Sequence, residues 1–138
     1  LQSLLGDVVT LYFRAKGHHW NVEGADFYEY HEFFDDIASD IYGSIDPMAE
    51  NIRKLGDYAP FRLERFIDDR NLDTSSRTTT DGKSLVKDLL EANEFFIGQL
   101  KSVFDIATSE NEQGIANFIA DRIDMHQKWS WQLRSTGK

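Results

Sequence analysis

Residues 27–55 read FYEYHEFFDDIASDIYGSIDPMAENIRKL, and their apolar spacing decides the fold. Phe27, His31, Phe34, Ala38, Ile41, Ile45, Met48, Ile52 and Leu55 recur at alternating intervals of four and three residues. That is a helical period sustained for about eight turns. Asp26 stands where an N-cap belongs, and Gly56 stands where such a helix ends.

Three more helices read outward from this one. Upstream, Leu4, Val8, Leu11, Ala15, His19 and Val22 predict a helix over about Gln2–Val22, broken by Gly24-Ala25-Asp26. On this spacing His18 falls off the apolar stripe and is expected in solvent. Downstream, residues 56–80 form a connector, with Pro60 starting a short helix over Phe61–Ile67 and a polar loop over Asn71–Thr80. A third long helix is predicted from Asp81 or Lys83 to Thr108, with Leu85, Leu89, Phe96, Leu100, Val103 and Ala107 inward. A fourth runs from about Glu112 to Arg134 and turns Ile115, Phe118, Ile119, Ile123, His126, Trp129 and Leu133 inward. Trp129 reads as core, whereas Trp131 falls on another face, at the surface or an interface. Four helices with a long second-to-third connector describe an all-α four-helix bundle with a crossover.

The 138 residues suit one domain with a hydrophobic core. A 41% apolar share and a mean hydropathy of −0.49 describe a soluble chain. No apolar run approaches the ~20 residues of a membrane span, and no signal peptide is read. The chain has no cysteine, which excludes disulfides and thiolate metal sites and fits a cytoplasmic location. Any bound metal would use oxygen and imidazole ligands, pointing to Fe, Mn, Mg or Ca. The net charge of −9 opposes whole-surface attraction to DNA or an anionic membrane and would attract cations.

The second helix carries His31, Asp35, Asp46 and Glu50 beside its apolar stripe. At ~100° per residue, with His31 at zero, the other three lie at about 40°, 60° and 100°, in one sector. The pairs His31/Asp35 and Asp46/Glu50 are centred about 22 Å apart along a straight helix. Metal–ligand bonds are near ~2 Å, so one helix cannot bring both pairs to one ion. Two antiparallel copies can, with a two-fold axis near Asp40–Ile41 and small Ala38, Ser39 and Gly43 permitting close approach. His19, inward on the first helix, could add a ligand, and Trp20 beside it is an oxidisable ring. Taken singly, each residue also has a plainer reading: His19 or His31 as a hydrogen-bonded core histidine, Trp20 as packing, Asp35 as a solvated charge. Asp46-Pro47 with Glu50 also reads as an N-cap with proline at N1, which would break the second helix at 45–46.

His19-Trp20-Asn21-Val22-x-Gly24, then Phe27, His31, Asp35, Asp46 and Ala49-Glu50, resembles the Dps family (DNA-binding protein from starved cells), the miniferritins. The resemblance implies that residues 1–138 form a single ferritin-like domain assembled into a hollow dodecamer. It also implies ferroxidase sites at two-fold interfaces, with His19, His31 and Asp35 from one subunit and Asp46 and Glu50 from its partner. It implies oxidation of Fe(II), preferably by hydrogen peroxide, storage of ferric mineral, a role for Trp20 in peroxide-linked electron transfer, and zinc as a possible substitute metal. Relatives place pore acids near the start of the last helix, where this chain has Glu110, Glu112 and Asp121. The Lys-rich tail that many relatives use on DNA is not visible; Arg134 to Lys138 offers two basic residues, so DNA binding is not expected of the visible chain. A DNA-protecting shell with little ferroxidase activity is the alternative. A conventional intrasubunit diiron site is disfavoured because the chain has no Glu-x-x-His. His31-Glu32-x-x-Asp35 resembles a metalloprotease helix, but the second histidine is missing.

Overall fold

The computed structural model describes residues 1–73 and 79–138. Five helices follow in order: α1 Gln2–Asn21, α2 Phe27–Lys54, α3 Leu63–Asp69, α4 Gly82–Ser109 and α5 Gln113–Thr136. Helices α1 and α2 pack as one pair and α4 and α5 as another, while α1 also meets α3 and α4. The starts of α2 and α4 lie at the same end of the bundle. Glu23 donates its N–H to the Thr80 carbonyl at 2.8 Å, and the Tyr30 ring packs on Gly82 so closely that a Cβ there would clash with it. Two helices that start at one end run parallel, so the chain between them must travel the length of the bundle. That is the expected crossover. No helix among the described residues is long and apolar enough to cross a membrane.

Helix α2 is unbroken through Pro47, which decides against the reading of Asp46 as an N-cap. Proline removes the bond that an N–H at 47 would give to the Gly43 carbonyl. Gly43 lies on the exposed side of α2 with open space where a side chain would be, so the lost bond falls on a solvated flank. The helix stops at Gly56, whose φ of +95° a side chain would strain. Asp26 does occupy the N-cap position, but its side chain makes no capping bond. Asp81 does cap, accepting the Ser84 N–H at 3.1 Å at the start of α4.

Two expectations need correction. The short helix begins at Leu63, two residues later than expected, and Phe61 is 81% exposed ahead of it. His18 is buried, not solvated: its Nε2 lies 2.8 Å from Asp88 and its ring meets the Phe34 ring edge-on. The inward stripe of α1 is Leu4, Val8, Leu11, Ala15, His18 and Val22, a strict four-three alternation that serves both α2 and α4. Of the polar loop over Asn71–Thr80, residues 74–78 lie outside the described residues; 71–73 and 79–80 are loop as expected, though the start of the loop is anchored to the bundle. Leu72 is buried, and the fully buried Asp7 carboxylate accepts the N–H groups of Asn71 at 2.6 Å and Leu72 at 2.7 Å. Burial pushes the Asp7 carboxyl up from its ordinary value, against those hydrogen bonds and the positive charge of Arg70.

The core also encloses a directed polar chain. Arg122 can only donate, so His126 Nε2, 3.0 Å from it, accepts, and Nδ1–H donates to Asn93 Oδ1 at 2.7 Å. Asn93 in turn donates to the His126 carbonyl and to Ser130 Oγ, each at 2.8 Å. Burial, helped by the charge of Arg122, pushes the imidazole down from its ordinary 6.5 to about 3.

Gly6 leaves no room between α1 and α3: a Cβ there would lie 2.7 Å from the Phe66 carbonyl oxygen. Gly6→Ala should therefore destabilise the fold by about 1–3 kcal/mol in urea titrations, despite alanine's better helix propensity. The unfolded chain takes a proton at His126 near pH 6.5 and the folded chain only near 3, so this residue's contribution is lost as pH falls through that window. In wild type the loss should approach about 1.4 kcal/mol per pH unit from this group. His126→Gln should flatten the pH dependence relative to wild type; equal slopes in the two proteins would contradict the assignment.

Candidate metal centre

The last turn of α1 meets the first turns of α2, and the link 22–26 is short enough to hold them face to face. Gly24, at φ +124°, makes the turn, and the Gly24 carbonyl accepts the Phe27 N–H at 3.2 Å. Here His19 and His31 exchange hydrogen bonds. His19 Nδ1 lies 2.7 Å from the His31 carbonyl, and His31 Nδ1 lies 2.7 Å from the His19 carbonyl. A carbonyl can only accept, so both Nδ1 atoms carry the proton. In each neutral ring Nε2 is then left with its lone pair available. The rings stack with centroids 3.8 Å apart and planes 16° apart, and Phe27 stacks on the outer face of His31 at 4.9 Å. A hydrogen bond to Nδ1–H that fixes the tautomer and aims Nε2 is what a metal-ligating histidine needs.

Asp35, one turn after His31, lies beside the histidine pair, with its Oδ1 3.8 Å from His19 Nε2. Lys16, one turn before His19, places Nζ 3.0 Å from the same oxygen. The Lys16 ammonium, aided by the nearby histidines against partial desolvation, holds the Asp35 carboxyl below its usual value. Lys16 was not singled out by the sequence; its i, i+3 relation to His19 was the available signal. Trp20 is 59% exposed, and the Lys16 ammonium lies 6.0 Å from its ring centroid.

Asp46 and Glu50 do not join this cluster. They are exposed further along the same helix. Among the described residues no three His, Asp or Glu side chains of one chain converge to hold a metal. The outer surface of α2 instead presents Glu32, Asp36, Ser39, Gly43, Asp46 and Glu50, all exposed and spaced symmetrically about Ile41. Ile41 itself is fully buried, so Ser39 and Gly43 are the outward residues at that midpoint. A groove between α1 and α3, bordered by Phe13, Arg14, Leu63 and Ile67, contains none of the candidate ligands.

A ferritin-like domain model matches residues 1–137. The chain is 25% identical over 135 residues to a DNA protection during starvation protein of Helicobacter pylori, covering 98% of this chain and 94% of that one. It is 28% identical over 136 residues to a low temperature-induced protein of Nostoc sp., covering 98% and 76%. Among solved structures it is similar to Dps from Vibrio cholerae, with TM-score 0.93 and 24% identity over 99% of this chain and 86% of that one. Dps from Thermosynechococcus elongatus is similar at TM-score 0.93 and 22% identity, over 98% and 85%.

The carbonyl exchange makes a direct spectroscopic prediction. In long-range nitrogen–proton correlation spectra of the metal-free protein above pH 8, His19 and His31 should both show as the Nδ1–H tautomer. Nε2–H signals from either ring would contradict the geometry.

Proposed function

The chain belongs to the ferritin-like family as a Dps-type miniferritin, and we propose that it binds ferrous iron between paired subunits, oxidises it and stores the ferric product. The observation that carries this reading is the pair of stacked imidazoles, each locked by the other's backbone with Nε2 free. In this reading His19, His31 and Asp35 of one subunit take iron together with Asp46 and Glu50 of a second. The symmetric spacing on α2 supports an antiparallel pairing of two copies. So does the exposure of Tyr42, at 64%, on the helix that would meet its copy. The assembly is a hollow homo-oligomer, a dodecamer on the family pattern, working in the cytoplasm.

The oxidant we propose is hydrogen peroxide. Two ferrous ions give one electron each, the O–O bond breaks, and two protons complete two waters. No odd-electron oxygen species leaves. In this reading Trp20, adjacent in sequence to His19 and exposed, supplies an electron when one iron is missing. Iron must displace Lys16 from Asp35, and the low carboxyl pKa keeps that oxygen ionised and ready to bind. The net charge of −9 favours cation delivery over polyanion binding.

Adding peroxide to the Fe(II)-loaded protein should give a fast ferric absorbance phase, and His31→Ala with Asp35→Ala should abolish it. A double mutant with the wild-type fast phase would remove the site assignment. On the same preparation, DNA at low salt should show no salt-sensitive retardation in a mobility-shift assay.

A further inference from the structure

Asp40 lies nine residues after His31 and ten before Glu50, at the middle of α2 between the two half-sites. Its carboxylate is gripped by α5. Arg122 donates from Nη1 to Oδ1 at 3.1 Å and from Nη2 to Oδ2 at 2.8 Å, and Trp129 Nε1–H donates to Oδ2 at 2.8 Å. The two charged side chains are 20% and 12% exposed. Behind Arg122 stand His126, Asn93 and Ser130, so the guanidinium is itself held from α4 and α5. We propose that Asp40, Arg122 and Trp129 form a positioning clamp that sets the rotation of α2, and so aims both half-sites at the metal shared between two subunits.

The inference rests on the two-subunit reading of the site and deepens it. Helices α2 and α5 meet over only a short stretch, so few other contacts fix how the two are rotated about one another. A carboxylate about 5 Å from the helix axis moves by about 0.9 Å for a turn of ~10°. Metal–ligand distances tolerate only about 0.2 Å. A two-pronged ion pair with a third, non-parallel N–H donor resists both slip and rotation. Its central place shares any residual error between the two half-sites, each centred about 11 Å away. A largely buried ion pair adds little net stability, so specification of one orientation is its more economical role.

Co(II) is the probe, read by its visible absorption in the assembled protein. Wild type should bind it, and His31→Ala with Asp35→Ala should not. Asp40→Asn, Trp129→Phe and Arg122→Lys should each weaken Co(II) binding by about tenfold or more and alter the visible band, with helicity by circular dichroism and assembly size retained. Wild-type affinity and spectrum in the three clamp variants would overturn the clamp. So would weakening that merely tracks lost helicity, since a structural role alone gives that. Failure of wild type to bind, or unchanged binding in the ligand double mutant, would instead overturn the site.

Discussion

Two imidazoles, each donating to the other's backbone carbonyl, hold the end of α1 against the start of α2. The candidate centre depends on this exchange. It fixes both tautomers, aligns both rings, and does so with main-chain atoms that cannot rotate away. The His19 carbonyl is available because it lies in the last turn of α1, where carbonyls lack helical partners, and the His31 carbonyl, within α2, can accept through its second lone pair. The short link through Gly24 then brings the two turns into register.

Buried and half-buried carboxylates play a matching part elsewhere, each at a junction between two elements. Asp7 ties the connector to α1 through two backbone N–H groups. Asp88 joins α4 to α1 through His18 and Arg14. Asp40 joins α2 to α5 through Arg122 and Trp129. Each carboxylate is costly to bury unless it is bonded, and each bond set specifies one relative placement of two elements.

Most of the fold was legible because long amphipathic helices write their period plainly. The stripe of α2 located that helix to within a residue of its observed end, and Asp81 announced the start of α4. The failures share a cause. The reading of His18 fails because α1 faces two neighbours, and a single stripe cannot show that both adjacent histidines turn from solvent. Leu72 does lie in a loop, but its burial is not legible because it depends on Asp7, more than sixty residues away in the chain. Proline at 60 marked the short helix but not its first residue. At the centre, the residue types were visible while the carbonyl exchange and the Lys16 contact were not, since both join different helices. Asp46 and Glu50 stay apart from the cluster within one chain, and pattern reading left their place open between a broken helix and a shared site.

The crossover has a consequence for how the chain folds. The pairs α1/α2 and α4/α5 are each closed by a link of a few residues, so their contacts are local and cost little loop entropy. Docking one pair on the other requires the whole connector to be laid down, with Asp7 catching it at Asn71 and Leu72. Such a topology favours early hairpins and late docking, which places the catch at Asp7 and the grip on Asp40 among the last native contacts to form. The groups that set the final geometry of α2 would then close over two preformed hairpins, correcting their mutual rotation at the end of the reaction.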